Sequence, residues 1–313
     1  MQTQSNLEVY LDMDPGVDDA VALAVAAVRF HLRGVTTVAG NVTLDRTTAN
    51  AGRLLRRMGL YDAVPLRAGS AAPLFHPLIT APSVHGESGL DGFPEGFDPP
   101  DPPPSETAWR FWEGRWRQAS SPLRVVATGP LTNLARAGMG GLLPAEAVAQ
   151  LVWMGGSLSG GNITPYAEFN AYVDPVAADW VVTASGWPMR IVGLDVTRKA
   201  RFGAAAISRL KRLGPVGEAL AQVLQAYCRR LGRPWAVLHD VVAVAALDAP
   251  WLFRWQRRAV TVVHDGRERG AVLAVPGVVG RPVWWAVDLD LPNFYTWFWA
   301  GMEQWRGSGD ARA

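Results

Sequence analysis

The chain has 313 residues, 49% hydrophobic and 19% charged, which suits one large α/β domain and excludes a disordered or strongly charged class. Its net charge of +2 comes from arginines scattered along the sequence, so no basic stripe marks a nucleic-acid partner. The lone Cys228 excludes an internal disulfide, Met1 to Asn6 lacks a signal-peptide core, and no unbroken apolar run is long enough for a bilayer; a cytoplasmic protein without a membrane partner is expected.

In chain order, Glu8 to Met13 reads as a buried strand, Asp18 to Phe30 as a helix, Gly34 to Ala39 as a strand and Asp45 to Met58 as a helix. Strands follow at Val64 to Ala68, Leu123 to Ala127 and Gln150 to Met154, with a helix from Leu131 between the last two. Repeated βαβ units imply a mostly parallel central sheet flanked by helices. Between Gly69 and Ser105 nine prolines surround His85-Gly86-Glu87-Ser88-Gly89. An irregular stretch of this length inside a domain is expected to be a flap over an active site, at about 70–104, so residues 1–313 form a single domain. Beyond it lie a helix at Glu106 to Gln118, a glycine-rich loop at Gly155 to Gly161, a helix opened by Asp174-Pro175 and a strand at Met189 to Leu194. Residues 203–232 read as helical, and His239-Asp240 opens an apolar helix ending near Ala249. Val260 to Ala286 reads as peripheral strands and Asn293 to Trp305 as a tryptophan-rich helix. Trp109, Trp112 and Trp116, spaced three and four apart, share a helical face expected to pack in a core or subunit interface.

The densest chemistry is in Asp12-Met13-Asp14-Pro15-Gly16-Val17-Asp18-Asp19, four carboxylates in eight residues between a strand and a helix. Like charges this close repel, so they are tolerated when solvated or when a cation sits among them. Further candidate ligand-contacting residues fall at or past strand ends: Asn41, Thr128, Met154 and Asn162, with Asp240 opening a later helix. In an open parallel sheet the C-terminal strand ends share one edge, so these groups are expected to converge on one crevice. Carboxylates with backbone oxygens describe a hard-cation site, and a mixed oxygen set suits calcium better than magnesium; no cysteine or histidine cluster offers zinc.

These residues also carry a resemblance. The stretch Asp12 to Leu23 resembles the N-terminal signature of the inosine-uridine preferring nucleoside hydrolases. The likeness continues, in family order, through Thr36 to Asn41, His85 to Gly89, Ala127 to Asn133, Met154-Gly155-Gly156, Gly161-Asn162, Ala167 to Asn170 and His239-Asp240. It implies a calcium-dependent enzyme that splits the N-glycosidic bond of a ribonucleoside into ribose and free base. It further implies Ca2+ held by Asp14, Asp19, Asp240 and the carbonyl of Thr128. A ribose pocket of Asp18, Asn41, Met154, Asn162, Glu168 and Asn170, a leaving-group acid at His239, and His85 in the loop that covers the base complete the implied site. Expected partners are the small-molecule ribonucleoside and further copies of the chain, as a homodimer or homotetramer. Where the family often places base-stacking aromatics, Tyr227 to Trp235 reads as a shortened segment.

The implied chemistry is consistent with the residue types. Cleavage through an oxocarbenium-like sugar needs a water nucleophile, negative charge beside the ring and a way to neutralise the departing base. Asp14 can take the proton of the water, and His239 can serve the base. Two rivals share parts of the pattern. A magnesium-dependent phosphohydrolase of the haloacid dehalogenase type also has an Asp-x-Asp turn after its first strand, but needs a later lysine and acidic pair that fit poorly here. A non-catalytic calcium-dependent nucleoside or sugar binder would use the pocket without a base or an acid.

Overall fold

An eight-stranded sheet organises the chain, and its strand order explains where the polar residues gather. In this computed structural model, which describes residues 6–94, 106–275 and 282–306, the strands are β1 (Glu8–Met13), β2 (His31–Thr37), β3 (Leu66–Ala68), β4 (Leu123–Ala127), β5 (Val148–Met154) and β6 (Met189–Val192). They are followed by β7 (Arg201–Gly203), β8 (Trp235–Val237), β9 (Phe253–Arg258), β10 (Val260–Val262), β11 (Val272–Ala274) and β12 (Val283–Leu289). The central sheet runs β3-β2-β1-β4-β5-β6-β12-β9, parallel throughout except for the antiparallel β12–β9 edge. From β1 the chain winds outward to β3 and then returns to add β4 on the other side of β1. The carboxyl ends of β1 and β4 therefore flank a topological switch point, where open α/β sheets bind ligands.

Both faces of the sheet are covered, as a parallel sheet requires. Alternation in β1 sends Val9, Leu11 and Met13 into one apolar core and Tyr10 into the other. The first core includes the helices Val17–Arg29 and His239–Asp248, both buried along almost their whole length. Alanine and valine dominate the two helices, and such small side chains allow close approach. Trp112 is fully buried, while Trp109 and Trp116 pack against the second core, consistent with core packing of that face. Among the described residues no helix is long and apolar enough to cross a membrane.

Several boundaries differ from the sequence reading. The region Val260 to Ala286 is not wholly peripheral: β10 and β11 form a separate hairpin, but β12 enters the central sheet beside β6 with Trp285 fully buried. Its antiparallel partner β9 carries Arg254, Arg257 and Arg258, the charge expected of an edge strand and the reason it does not read as a strand in sequence. The helical stretch 203–232 is two helices, Ala204–Lys211 and Pro215–Leu231, broken at Gly214 with φ of 85° and a proline at the next helix start. The small antiparallel β7–β8 pair, whose strands are separated by those two helices, is also absent from the sequence reading, because three-residue strands carry almost no periodicity. Of the flap expected at 70–104, residues 95–104 lie outside the described residues.

Phe298, in the closing helix Leu291–Met302, is fully buried and meets the Phe202 ring edge-on at a centroid distance of 4.7 Å. Phe298→Ala should cost about 3–5 kcal/mol of stability through lost transfer energy and the cavity left behind. A urea midpoint shift worth less than about 1 kcal/mol would show that this aromatic cluster adds little to the fold.

Candidate active site

Registration across the sheet sets the site. Thr36, Asp12, Ala127, Trp153 and Ile191 lie in one row across β2, β1, β4, β5 and β6. One residue further, Thr128 and Met154 leave their strands, and Asp14 follows Met13 at the end of β1. Asp12 belongs to the scaffold: its Oδ1 accepts from the Thr36 hydroxyl at 2.6 Å and from Asn133 Nδ2 at 2.9 Å, and burial raises its pKa to about 7. Two glycines let the loops meet. A Cβ on Gly40 would stand 2.1 Å from Asp14 Oδ2, and one on Gly16 would stand 2.5 Å from His85 Nδ1. Only a residue without a side chain fits at either point.

Beneath the cavity the carboxylates converge. Asp14, Asp18, Asp19 and Asp240 are 1, 8, 0 and 3% exposed. Oxygens of Asp18, Asp19 and Asp240 lie within 4.8 Å of one another, so these three are the tightest group. Asp14 stands beside them. Its Oδ2 accepts from the Asn41 backbone N–H at 2.8 Å, while its buried Oδ1 has no hydrogen-bond partner. Asp18 and Asp19 occupy the first turn of Val17–Arg29, and Asp240 the first turn of His239–Asp248. The positive ends of two buried helices thus point at the cluster and offset part of its charge. The remainder is uncompensated. Burial, reinforced by the neighbouring carboxylates, pushes Asp14 and Asp240 well above the usual carboxylate range and Asp18 up to about 7. Burial also raises Asp19, against the pull of hydrogen bonds from the Gly16 N–H and the Thr128 hydroxyl. Crowded buried carboxylates with an unpartnered oxygen are a donor set that fits a hard divalent cation.

Above the cluster opens a cavity of about 730 Å³. It is lined by Asp18, Asn41, His85, Thr128, Met154, Asn162, Glu168, Asn170, His239 and Asp240, all site residues expected from the sequence; Asp14 and Asp19 lie under its floor. Asn41 Nδ2 donates to the Asp14 carbonyl and to Asp19 Oδ2, and Asn170 Nδ2 donates to the carbonyls of Thr128 and Met154. Glu168 caps the helix Phe169–Val173, accepting from the N–H groups of Asn170 and Ala171, and also accepts from that of Gly156. Burial lifts its pKa to about 7. Asn162 Oδ1 accepts from the Phe169 N–H.

Two histidines face the opening. His85 ends the helix Pro82–His85, and its Nδ1 accepts from the Val17 N–H at 3.1 Å, which ties the flap segment to the aspartate turn. Burial, with the nearby His239 adding to it, lowers its pKa to about 3. His239 Nδ1 lies 2.7 Å from the Thr197 hydroxyl, and burial followed by the Arg198 charge lowers this ring to about 4. The sequence reading left the aromatic contact open; Tyr227 and Trp235 both line the cavity, with the Tyr227 ring 6.4 Å from that of His85. Arg198, Arg201 and Arg233 also line it, and nothing in the sequence pattern singled them out.

The comparisons with known proteins agree with this arrangement. A profile described as inosine-uridine preferring nucleoside hydrolase matches residues 9–296. The chain belongs to that family. It is 39% identical over 300 residues to the non-specific ribonucleoside hydrolase RihC of Salmonella agona, covering 94% of this chain and 96% of that protein. The pyrimidine-specific ribonucleoside hydrolase RihA of Salmonella schwarzengrund is 39% identical over 274 residues, 83% of this chain and 86% of RihA. Among solved structures, a plant nucleoside hydrolase superposes with a TM-score of 0.88 at 28% identity, over 96% of this chain and 99% of its own. A purine-preferring ribonucleoside hydrolase from Gardnerella vaginalis also gives 0.88, at 26% identity and the same coverage. This nucleoside hydrolase is therefore an N-glycosidase acting on ribonucleosides, and the phosphohydrolase and pure-binder alternatives fall away.

Crowding makes the metal-free hydrolase pH-sensitive. Asp18 rises from about 4 when unfolded to about 7 when folded, so the folded state holds its proton more tightly. The stability from that proton is complete below the unfolded value and is lost as pH rises through the folded one. Urea unfolding of divalent-free protein at about pH 5, 6 and 7 should show falling stability, with a shallower fall in Asp18→Asn. An identical pH slope in the variant would mean that Asp18 is not strained by its neighbours.

Proposed function

We propose that this nucleoside hydrolase is calcium-dependent, with Asp14, Asp19, Asp240 and the Thr128 carbonyl holding the ion and with Asp14 also acting as the base. The observation that carries this reading is the convergence of four buried carboxylates at the switch point of the sheet, under a polar cavity of nucleoside size. When bound, the cation neutralises the cluster and offers the ribose diol a hard, oxygen-seeking centre. Asp18, Asn41, Met154, Asn162, Glu168 and Asn170 then read the ribose hydroxyls and fix the anomeric carbon beside the attacking water. The unpartnered Oδ1 of Asp14 takes the proton of that water.

The C–N bond breaks with its electron pair going to the base, and the sugar passes through an oxocarbenium-like state that the buried carboxylates stabilise. His239 serves the departing base. In the tautomer whose Nδ1 accepts from the Thr197 hydroxyl, Nε2–H is free to donate a hydrogen bond into the cavity, and the lowered pKa means that the ring enters the reaction neutral. His85 contributes to the wall around the base, and the flap segment up to residue 94 supplies Thr80, Ala81, Ser83 and Val84 to the same wall. The expected homodimer or homotetramer is supported by exposed apolar surface at Trp251 and Trp284.

The test is release of reducing sugar from inosine and uridine with calcium present. Asp14→Ala should lower kcat by ~10²–10⁴-fold, the range of a positioned proton acceptor, and activity within a few-fold of the parent would reject that role. Chelation of divalent ions should abolish turnover, with calcium restoring it better than magnesium at equal concentration. Full activity after stripping would reject metal dependence. His239→Ala should lower kcat by a similar ~10²–10⁴-fold if donation to the base is required; an unchanged kcat for both substrates would remove it from the chemistry.

A further inference from the structure

The floor of the cavity is acidic, but its outer wall has the opposite charge. Arg198 follows the helix Leu194–Thr197, Arg201 begins β7 and Arg233 precedes β8; all three line the cavity and are exposed. Other arginines of this chain pair with carboxylates, as Arg67 does with Glu106 and Arg209 with Glu303. Among the described residues no carboxylate forms an ion pair with Arg198, Arg201 or Arg233. They are held by neutral groups instead. Arg198 donates to the carbonyls of Gly160 and Gly161, and the Arg201 guanidinium lies 5.1 Å from the centre of the Trp235 ring. The Arg233 charge acts on the Tyr227 phenol, lowering it against the burial that pushes it up to about 12. Three positioned but unneutralised cations therefore stand at the mouth, beside two aromatic rings.

A guanidinium presents parallel N–H donors that match the two oxygens of a carboxylate. On the reading given under Proposed function, the ribose occupies the floor near Asp18, Asn41 and Asn170, so the base projects past His239 toward the mouth. A negative group on the base would enter the part of the cavity that Arg198, Arg201 and Arg233 line together with Trp235 and His239. Arg198 also donates to the carbonyls of Gly160 and Gly161 beside Asn162, so a phosphate on the sugar is the rival that the test must separate. We propose that the preferred substrate of this hydrolase is a ribonucleoside whose base carries a carboxylate, received by Arg198, Arg201 and Arg233. This inference rests on that placement of the ribose. The reaction is unchanged: water adds to the anomeric carbon and the base departs with the bonding pair.

Nicotinate riboside and nicotinamide riboside test this directly, since they share a ring and differ in a carboxylate against an amide. Uridine and uridine 5′-monophosphate serve as the neutral and the sugar-phosphate comparisons. The expected result is kcat/KM about tenfold or more higher for nicotinate riboside than for nicotinamide riboside at low salt, shrinking as salt is added. In the double variant Arg198→Gln/Arg233→Gln, with folding checked by its thermal midpoint, the ratio should fall toward one, mainly through KM. A ratio near one in the parent, a ratio that the variant leaves intact, or a preference for the 5′-monophosphate over uridine larger than the riboside ratio would each overturn the proposal. Uridine or inosine turnover with equal ribosides removes only this inference, whereas no turnover of inosine, uridine or either riboside removes the hydrolase reading with it.

Discussion

Burying four carboxylates beside one another, three of them with oxygens within 4.8 Å, is the constraint to which the rest of this structure answers. Each is almost fully removed from water, so desolvation opposes its charged form, and neighbouring carboxylates oppose it further at Asp14, Asp18 and Asp240. The fold meets this cost with fixed partial charges. Two core helices, Val17–Arg29 and His239–Asp248, aim their N-terminal ends at the cluster, and the amides of Gly16 and Asn41 donate to Asp19 and Asp14. The helices can reach it because they are built of alanine and valine and lie in the core. That burial makes them unusual as α/β helices, and it places their first turns directly under the ligand crevice.

The same constraint explains the shell of amides and glycines around the cluster. Asn50 Nδ2 bonds the carbonyls of Pro15 and Ser88, and Asn133 joins Asp12, Thr37 and Ser70, so the aspartate turn is fastened to β2 and to the flap segment at once. Replacing either asparagine would strand several buried polar groups, each costly to leave unpaired. Rigid support of this kind is what a site needs if its catalytic oxygens are to hold position through a reaction. On the proposal above, specificity belongs to the mouth, where Tyr227 comes from the helix Pro215–Leu231 and Trp235 and the three arginines from short strands and loops.

Much of this was legible in the sequence because it is local. The run Asp12 to Asp19 joins an apolar strand to an apolar helix, and the candidate ligand-contacting residues at Asn41, Thr128 and Met154 mark the ends of strands whose apolar runs are unmistakable. What was not legible depends on distance or on weak local signal. The insertion of β12 beside β6, about ninety residues apart in sequence, is decided by the burial of Trp285 rather than by any pattern in its own segment. The charged edge strand β9 and the three-residue strands of the β7–β8 pair lack the alternation that announces a strand. Asp18 was expected to serve the sugar; it also stands in the tightest carboxylate group, which only the angle between two helices reveals. The arginines at the mouth had no motif at all, since they come together from segments flanking β7 and β8 that only the fold brings to one cavity.

The account predicts that the carboxylate cluster exchanges protons for a cation. Calorimetric titration of calcium into divalent-free protein at about pH 7, repeated in buffers of different ionisation enthalpy, measures both the stoichiometry and the protons released. One ion bound per chain with proton release is the expected result, because the folded cluster retains protons at that pH. Absence of saturable binding, or binding with no proton released, would contradict the claim that these buried carboxylates are gathered to hold a divalent ion.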